Sequence, residues 1–596
     1  MRKPWSISTT VRNPERLREF LKVLKMFEGQ PFTKECQINY QICLIQQKIY
    51  MPKLIPCIYK HYYENPDDAM PFEVAQEIFK HQNYEDPPMR GRQSVNPLNK
   101  LGFAIARENE GNVVITELGN QFLEGDYDIG DIFFKSLLKL QFPNPWSKDF
   151  SENDGFDIVP FIATLHLINE VNRKSEKKGL SRDEFCFFVP TLINFKDIHK
   201  QCERIFEYRR SENKRKFLIK FAEEFYEDST TKTKINNLYD YGDNTMRYFR
   251  LTRFFGISTN QLGQYWEIDT SKSRAVEIEE LINTYDGSSF KFSLLNDYLA
   301  YLSDISKPEL PWEKTEKLLE IAQTLKDSIL KTVESNKIKL NATEQSNIFV
   351  DFDKLNKEEL ENEIKILRQI NLSVKEKINK ALLMSNSEAI EKIIRDLKNV
   401  KILKKYEPEQ FEKCISNAFK VINDEIQIKP NYPVDDDGEP VSHSPGNKPD
   451  IECYYESFKA IVEVTLNSSS LQWVQEGQPV MRHLRYFEKQ NKNSDVFCIF
   501  IAPKIHTDTY STFWTAVKYE YDGSPQKIVP LQGEQFSILL ETLLKLLKKN
   551  RRYSHHDLYE LYSIIVDNTK NLSSYSEWEA SIQANLLKWS KELERK

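Results

Sequence analysis

Two acidic residues in the C-terminal third of the chain are spaced so that they can share a metal ion. Asp450 and Glu463 flank a stretch with the composition of two short strands joined by a turn at Glu456-Ser457. If that turn closes an antiparallel hairpin, Tyr455 pairs with Phe458 and Asp450 lies opposite Glu463. We therefore expect the two carboxylates side by side on one face, with Cβ atoms about 5 Å apart.

The pleat of this hairpin divides its residues between an apolar face and a charged face. The apolar face consists of Ile451, Cys453, Tyr455, Phe458, Ala460, Val462 and Val464, and the charged face of Asp450, Glu452, Lys459 and Glu463. Like charges opposite each other destabilise a sheet, and a divalent cation would relieve the repulsion. Mg²⁺ favours a few carboxylates with water and phosphate, which suits hydrolysis of a phosphodiester by a metal-activated water. The alternative is a solvated hairpin face without a metal.

The segment that carries the hairpin alternates helix and strand patterns from about residue 406 onward. The predicted helices are 409–422, 479–489, 507–519 and 534–549, and the predicted strands are 450–455, 458–465, 496–502 and 527–531. We predict an α/β domain over residues 406–596.

The N-terminal half contains two stretches in which a hairpin-like pattern is followed by a helix. The first spans 101–116, has a turn cluster at 109–112, and is followed by a helix that begins at Thr116. The second spans 246–282 and begins with a basic helix end. Between them, Ser181-Arg-Asp-Glu184 predicts a capping box. We predict winged-helix-like modules over 1–150 and 151–305, although a plain helical hairpin explains the segment between the two hairpins equally well.

Residues 312–405 are rich in Leu, Ile, Lys and Glu and contain no Gly or Pro. Their apolar residues recur at helical spacing, but the spacing drifts, which favours an intramolecular packed linker over a coiled coil. We predict a helical linker domain over 306–405.

Length and composition limit the class of protein. A chain of 596 residues with 40% hydrophobic and 29% charged residues is an ordinary multidomain globular protein. It lacks an apolar run long enough for a membrane helix, and its eight Cys show no C-x-x-C pair, so we expect a cytoplasmic protein without membrane contact, zinc or disulfides. The net charge of −6 restricts any nucleic-acid surface to a local patch.

The motifs around the acidic pair resemble a PD-(D/E)xK nuclease core, and more specifically the AlwI-type family of type IIS restriction endonucleases with its strand-nicking members. The motifs are Gly446-Asn-Lys-Pro-Asp450, Glu463-Val-Thr465, Glu476-Gly-Gln-Pro479-Val-Met-Arg482-His483, Phe500-Ile-Ala-Pro503, Arg90-Gly-Arg92 and Arg247-Tyr-Phe-Arg250. The resemblance implies an α/β multidomain enzyme: winged-helix-like DNA-recognition modules, a helical connector and a C-terminal nuclease domain with a mixed central sheet. Such an enzyme cuts to one side of a short asymmetric site.

The resemblance implies site residues, which we match to this sequence one by one. Asp450 and Glu463 match the metal ligands, to which the Val464 carbonyl is added, and the implied cofactor is Mg²⁺. Glu412 matches an acidic residue on the helix before the hairpin. Glu476 matches an acidic residue ahead of the Pro-Val-x-Arg-His motif and is a candidate ligand of a second metal.

Thr465 departs from the pattern, because the wider superfamily has a Lys at this position. A Lys two residues after Glu463 would share its face and offset phosphate charge, which Thr cannot do as a cation. Arg482 and His483, on the helix that begins at Pro479, are candidates to supply the positive charge or to transfer a proton. A helix-capping or core role is the alternative for His483.

Candidate DNA contacts are local. Arg90, Arg92, Arg247 and Arg250 lie beside the predicted wings, where a few Arg side chains could bind phosphates or bases. Residues 201–220 contain seven basic residues and three Glu, and from this run we add Arg209 and Arg210.

We thus predict a Mg²⁺-dependent, site-specific endonuclease that binds double-stranded DNA. One active site cuts one strand, so cutting both requires a second nuclease subunit or a transient homodimer. The missing Lys leaves open a DNA-binding regulator with an inactive nuclease-like domain, and the same core also occurs in structure-selective repair nucleases.

Overall fold

The apolar residues of the chain collect into separate hydrophobic cores in the computed structural model of this protein. The structure describes residues 2–595 except 9, 65–68, 109–110, 126–127, 145–149, 230–231, 260–265, 386, 405, 423, 446–447 and 470–471. The largest core draws mainly on residues 5–281, a second on 318–374 and a third on 383–593. These cores define three units, which we call the recognition unit, after the prediction made from the sequence, the connector and the C-terminal unit.

The recognition unit begins with helices that surround a short hairpin. The elements are α1 (Leu17–Lys25), α2 (Lys34–Gln46), α3 (His61–Glu64), α4 (Phe72–His81), α5 (Pro87–Lys100), β1 (Ala104–Ile105), β2 (Val114–Ile115), α6 (Glu117–Glu124) and α7 (Ile129–Lys139). β1 and β2 pair antiparallel. Thr116 accepts a hydrogen bond from Gly119 N at 3.0 Å and caps α6, so the helix begins where the sequence predicts. Two residues of the predicted turn, 109 and 110, lie outside the described residues.

The second part of the recognition unit is a helical array with a three-stranded sheet. Its elements are α8 (Pro160–Lys174), β3 (Leu180–Ser181), α9 (Arg182–Phe188), α10 (Ile198–Arg210), α11 (Lys214–Tyr226), α12 (Lys232–Leu251), β4 (Phe255–Thr259), β5 (Trp266–Thr270), α13 (Ala275–Thr284) and α14 (Leu295–Ser303). The strand order is β3-β5-β4, with antiparallel pairing. Ser181 and Glu184 form the predicted capping box at the start of α9.

The two parts share one core. Phe133 of α7 contacts Tyr248 of α12 edge to face, with ring centroids 5.8 Å apart, and Trp5 Nε1 donates to the Leu192 carbonyl at 2.9 Å. The recognition unit is therefore held together by contacts between distant parts of its sequence.

The connector is helical, as its composition predicts. It contains α15 (Thr315–Asn336), α16 (Ala342–Ile348) and α17 (Lys357–Ser385). α15 and α17 bury a shared apolar stripe that includes Leu325 and Leu367. The next helices, α18 (Ser387–Leu397) and α19 (Val400–Leu403), contribute Ile390 and Leu403 to the core of the C-terminal unit.

The C-terminal unit is a five-stranded mixed sheet with helices around it. Its elements are α20 (Pro408–Ile422), β6 (Gln427–Pro430), β7 (Ile451–Tyr454), β8 (Phe458–Val464), α21 (Gln478–Gln490), β9 (Asp495–Ala502), α22 (Thr507–Lys518), β10 (Ile528–Gln532), α23 (Gly533–Leu547), α24 (His555–Asp567) and α25 (Tyr575–Arg595). The strand order is β10-β9-β8-β7-β6, in which β8, β9 and β10 are parallel to one another and β6 and β7 pair antiparallel. β6 has no counterpart among the predicted strands.

The hairpin of β7 and β8 has the predicted register. Ile451 pairs with Val462 and Tyr454 with Lys459, and Tyr455 N donates to Phe458 O at 3.0 Å. The second face is not solvated, as the alternative interpretation would have it, because Ile461 and Glu463 on that face are also buried. β8 is a central strand with α20 and α21 against it, so neither face meets bulk water.

The loop between β6 and β7 joins the C-terminal unit to the rest of the molecule. Asp436 forms a buried ion pair with Arg274, with Oδ2 and Nε 2.7 Å apart, and its carbonyl accepts from Asn371 of α17 at 3.1 Å. A few residues later, Val441 is buried in the core of the recognition unit. One loop thus contacts both of the other units. Among the described residues, no helix is long and apolar enough to cross a membrane.

Glu15, which contacts the loop between β6 and β7 at Ser442, leads to a prediction about how stability depends on pH. Burial raises the pKa of Glu15 from 4.5 to about 7, and its hydrogen bond with Ser442 acts in the opposite sense. Between those values the folded protein binds more protons than the unfolded chain, so this group stabilises the fold at low pH and the contribution is lost as pH rises towards 7. We expect Glu15→Gln to gain in thermal midpoint relative to the wild type between pH 5 and pH 8. Glu19→Gln, at an exposed residue of α1, is the matched control, and equal profiles for all three proteins would contradict the prediction.

Candidate active site

Asp450 and Glu463 lie next to each other at the open end of the β7–β8 hairpin, and each carboxylate accepts a backbone hydrogen bond there. Asp450 Oδ2 accepts from Val464 N at 2.7 Å, and the Glu463 carboxylate accepts from the backbone N–H of Asp450. The Asp450 carbonyl accepts from Asn431 N at 2.9 Å, which fixes the residue at the edge of β7. The two acidic side chains therefore lie close together, as the register predicts.

Burial and the charges of neighbouring carboxylates raise the pKa values of both carboxyl groups. Burial raises the pKa of Asp450 well above its usual range, the charge of Glu463 raises it further, and the Val464 N–H partly offsets both effects. Burial likewise raises the pKa of Glu463, with added contributions from Glu476 and Glu412. A cation between these groups would favour their ionised forms.

Glu412 reaches the same site from α20. Its Oε2 accepts from Ser444 N at 3.1 Å and from Ser444 Oγ at 2.8 Å. Burial, followed by the charge of Asp450, raises the pKa of Glu412 to about 9. Glu412 is buried, so it is not the solvent-facing residue that a lone Glu on an amphipathic helix usually is.

Glu476 lies on a π-helical turn, Trp473–Gly477, that leads into α21. The Thr465 hydroxyl donates to its carboxylate, and burial raises the pKa of Glu476 despite this bond and the nearby His483. Thr465, at the position of the usual Lys, therefore holds an acidic residue in place. π-turns occur often at functional sites.

Gln472 anchors the start of that turn and is fully buried. Its Nε2 donates to the Asn467 carbonyl at 2.6 Å and to the Lys504 carbonyl at 2.9 Å, while its Oε1 accepts from His506 N at 2.8 Å. One amide thus joins the loops that follow β8 and β9 to the turn that carries Glu476.

His483 lies one turn into α21 and bonds directly to the acidic pair. Its Nδ1 is 2.8 Å from Glu463 Oε1, and both residues are buried. The neighbouring Arg482 is half-buried and makes no hydrogen bond or ion pair with any described residue. His483 is therefore placed to orient Glu463.

The donor set fits a hard divalent cation that keeps much of its water. Within the described part of the chain, no group of three or more His, Cys, Asp or Glu side chains is close enough to hold a metal ion. Two carboxylates, Asp450 and Glu463, with the Val464 carbonyl make a small oxygen set whose charges repel each other. Mg²⁺ is commonly bound in this way, through one or two carboxylates with water and substrate phosphate.

Two of the candidate DNA contacts face inward. Arg250 is 3% exposed, lies 3.4 Å from Glu409 and donates to the Pro440 carbonyl. Arg209 donates to Glu184 at 2.8 and 3.0 Å and to the carbonyls of nearby residues. Neither guanidinium can reach a base without breaking these bonds.

The other four arginines are more accessible. Arg92 donates to Asp86 at 2.7 Å and to Gln37 at 3.1 Å, and Arg247 lies 3.2 Å from Glu407. Arg90 stacks on the Tyr84 ring, with 4.5 Å between guanidinium carbon and centroid. Arg210 is exposed and makes no ion pair with a described residue.

The comparison with protein families decides the class of the protein. The model of the AlwI restriction endonuclease family matches residues 99–539, well over half of the chain. The chain belongs to this family. The predicted activity, that of a type IIS site-specific DNA endonuclease, is confirmed by this membership, and such enzymes depend on a divalent metal.

Solved structures similar to the chain are also restriction endonucleases. The small subunit of the heterodimeric restriction endonuclease R.BspD6I aligns with 33% of this chain and 98% of its own, at 22% identity and a TM-score of 0.28. The restriction endonuclease FokI aligns with 94% of this chain and 99% of its own, at 11% identity and a TM-score of 0.23. FokI bound to DNA covers 90% and 98%, at 11% identity and a TM-score of 0.22. A comparison with curated proteins finds no match.

The motif residues Asp450, Glu463, Glu476 and His483 lie at the site just described, whereas the two arginine motifs lie in the recognition unit. Two residues beside the site carry no signal in the sequence. Ser444 and Gln472 bind backbone or carboxylate groups brought to them by the fold, and no spacing rule predicts such contacts. Gly446 and Asn447 of the first motif lie outside the described residues.

The role of Gln472 leads to a prediction. Gln472→Leu leaves two buried carbonyls and an N–H without partners and frees the turn that holds Glu476, so we expect a loss of DNA cleavage by this endonuclease of about tenfold or more. The matched control is Gln141→Leu in the recognition unit. Gln141 makes the same three kinds of bond, to the carbonyls of Pro143 and Phe290 at 3.3 and 2.9 Å and from Phe290 N at 2.9 Å. Equal cleavage losses in the two variants, at equal loss of stability, would refute a local role for Gln472.

Proposed function

We propose that this endonuclease is Mg²⁺-dependent and that the active site around Asp450 and Glu463 hydrolyses one phosphodiester to one side of the sequence that the recognition unit binds. The observation that supports this most directly is the position of the two acidic residues: Asp450 Oδ2 accepts from Val464 N, next to Glu463, at 2.7 Å, and the charge of Glu463 raises the pKa of Asp450. The two carboxylates are thus close enough to act on one metal ion.

Asp450, Glu463 and the Val464 carbonyl would hold the metal. When bound, Mg²⁺ activates water for attack on phosphorus and offsets the charge that develops on the phosphate. His483 binds Oε1 of Glu463 and thereby fixes the orientation of this carboxylate. Thr465 holds Glu476, which can accept a proton from water near the site. Arg482, one residue before His483 on α21, would contact the DNA phosphate and supply the charge that Thr465 cannot.

For DNA recognition we propose a winged-helix module built from α9, α12 and the β4–β5 hairpin. The pairing of β3 with β5 beside β4 has the strand order of that fold, in which α12 would be the recognition helix. The C-terminal end of α12 is buried, whereas Lys232, Thr233 and Asn236 at its N-terminal end are exposed. Recognition helices read bases with their N-terminal residues. We therefore place base contacts at Asn236, with Arg90, Arg92, Arg210 and Arg247 as candidate phosphate contacts, and exclude Arg209 and Arg250.

One such site cuts one strand. Cleavage of both strands then needs a second nuclease domain, from a transient second copy or from a separate subunit. The alternative of an inactive regulator is disfavoured by the four acidic residues and the histidine that gather here, since a decayed site has no use for their mutual repulsion.

Incubation of supercoiled plasmid with the purified protein, with and without Mg²⁺, tests the proposal. We expect nicked plasmid with Mg²⁺ and mapped ends at a fixed distance from one sequence. Linear product that rises faster than linearly with protein concentration would indicate self-association, and nicked product alone would indicate a need for a separate subunit. Intact plasmid with Mg²⁺, or ends at random positions, would refute the proposal.

A further inference from the structure

The five residues Pro440–Ser444, which we name the strap, run from the recognition unit to the active site. The Pro440 carbonyl accepts from Arg250 at the end of α12, and Val441 is buried in the core of the recognition unit. Ser442 hydrogen-bonds with Glu15, and His443 Nε2 lies 3.3 Å from Asn13 Nδ2. The first four strap residues are thus each fixed by the recognition unit.

The last strap residue is fixed by the active site. Ser444 donates to Glu412 Oε2 through its backbone N–H at 3.1 Å and through its hydroxyl at 2.8 Å. The same hydroxyl lies 3.3 Å from the Asp450 carbonyl oxygen. Ser444 is buried, so water does not compete for these bonds. It therefore joins the helix that carries Glu412 to Asp450, the residue just before β7.

These contacts leave the strap little slack. His443, which contacts Asn13 of the recognition unit, and Ser444, which binds Glu412, are consecutive residues whose Cα atoms are about 3.8 Å apart, so no residue lies between these two anchors to absorb a shift. A displacement of the recognition unit relative to the C-terminal unit must then either break the anchors or move Ser444. Moving Ser444 alters the support of Asp450 and Glu412 together.

We infer that Ser444 is a positioning residue of the active site. We also infer that the strap makes the geometry of that site depend on the position of the recognition unit relative to the C-terminal unit. This inference rests on the proposed function, because it assigns a role to Ser444 through Asp450 and Glu412. Specific DNA, by fixing the recognition unit, would also fix the site at a distance from the bases that are read.

The first experiment compares Ser444→Ala with Ser444→Thr, which keeps a hydroxyl, and with the control Ser537→Ala. Ser537 is a buried serine of α23 whose hydroxyl donates to the Glu534 carbonyl at 2.7 Å, away from the site. We measure single-turnover cleavage of plasmid across a Mg²⁺ titration and Mg²⁺ binding to the free protein by calorimetry. Ser444→Ala should raise the Mg²⁺ concentration for half-maximal cleavage and weaken Mg²⁺ binding by about tenfold, with recovery in Ser444→Thr. Wild-type values in Ser444→Ala, or the same change in Ser537→Ala, would overturn the role of Ser444.

The second experiment removes an anchor on the recognition side with His443→Ala and uses His199→Ala, an exposed histidine beside Glu170, as control. We expect His443→Ala to bind specific DNA as the wild type does but to cleave it about tenfold more slowly at saturating protein. An unchanged rate at saturation would overturn the strap. If the wild type cleaves no plasmid, the proposed function fails, and the calorimetric comparison alone then decides the role of Ser444.

Discussion

Asp450→Asn and Glu463→Gln each reduce DNA cleavage by about 10³-fold or more while specific binding is retained. Both variants keep the shape of the side chain, so the hydrogen bonds that residues 450 and 463 accept from the backbone are changed as little as possible. What they remove is a negative charge from the donor set for the metal, and metal-assisted hydrolysis depends on that charge for several kcal/mol of transition-state stabilisation. The measurement is single-turnover cleavage of plasmid alongside a gel shift with DNA that contains the site.

The same hairpin offers a matched control in Glu452→Gln. Glu452 is also buried on β7, but it binds Lys429 at 3.2 Å, Asn431 at 3.0 Å and Tyr454 at 2.6 Å rather than the acidic pair. We expect this variant to lose some stability and to cleave within about threefold of the wild type, since it leaves the metal ligands unchanged. Retained cleavage by Asp450→Asn, or an equal loss in Glu452→Gln, would remove the acidic pair from the mechanism.

The part of the site that sequence predicts well is the part set by local geometry. A two-residue turn and the period of the pleat fix which residues of β7 and β8 lie opposite each other, so the meeting of Asp450 and Glu463 follows from counting. The same holds for the caps at Thr116 and Ser181, where a side chain bonds to its own helix.

The part that sequence does not predict depends on contacts between distant segments. Glu463 lies on a face that alternation marks as charged, but the pattern does not show that α21 covers this face and that His483 bonds to Glu463. Arg250 is a residue type that often contacts DNA, but its guanidinium forms an ion pair with Glu409, which is far away in sequence. Ser444 binds the Glu412 carboxylate, and Gln472 binds backbone groups of two loops, and only the finished fold brings these groups to them. Pattern within a segment carries no information about such partners.

Asp436→Ala destabilises the protein by roughly 3–5 kcal/mol, because it leaves the buried charge of Arg274 without its partner. Arg274 Nε lies 2.7 Å from Asp436 Oδ2, and the two side chains are 6% and 4% exposed. Burial alone would raise the pKa of Asp436, but Arg274 and Arg368 outweigh it and the pKa is lowered. The aspartate is thus held in its ionised form between the recognition unit and the connector. The shift of the urea unfolding midpoint measures the cost.

Two comparisons test whether the loss of stability arises because the ion pair is buried, rather than from the loss of any ion pair. Asp240→Ala breaks the exposed pair with Arg12, whose side chains are 53% and 74% exposed, and should cost less than about 1 kcal/mol. The double variant Arg274→Met with Asp436→Leu removes both buried charges and should recover most of the stability lost in Asp436→Ala. If the double variant loses as much free energy of unfolding as the two single variants together, the loss of stability comes from lost packing or from lost backbone hydrogen bonds of the loop. Recovery would instead show that the junction is stabilised by neutralisation of Arg274, and that an apolar contact of similar volume can replace it.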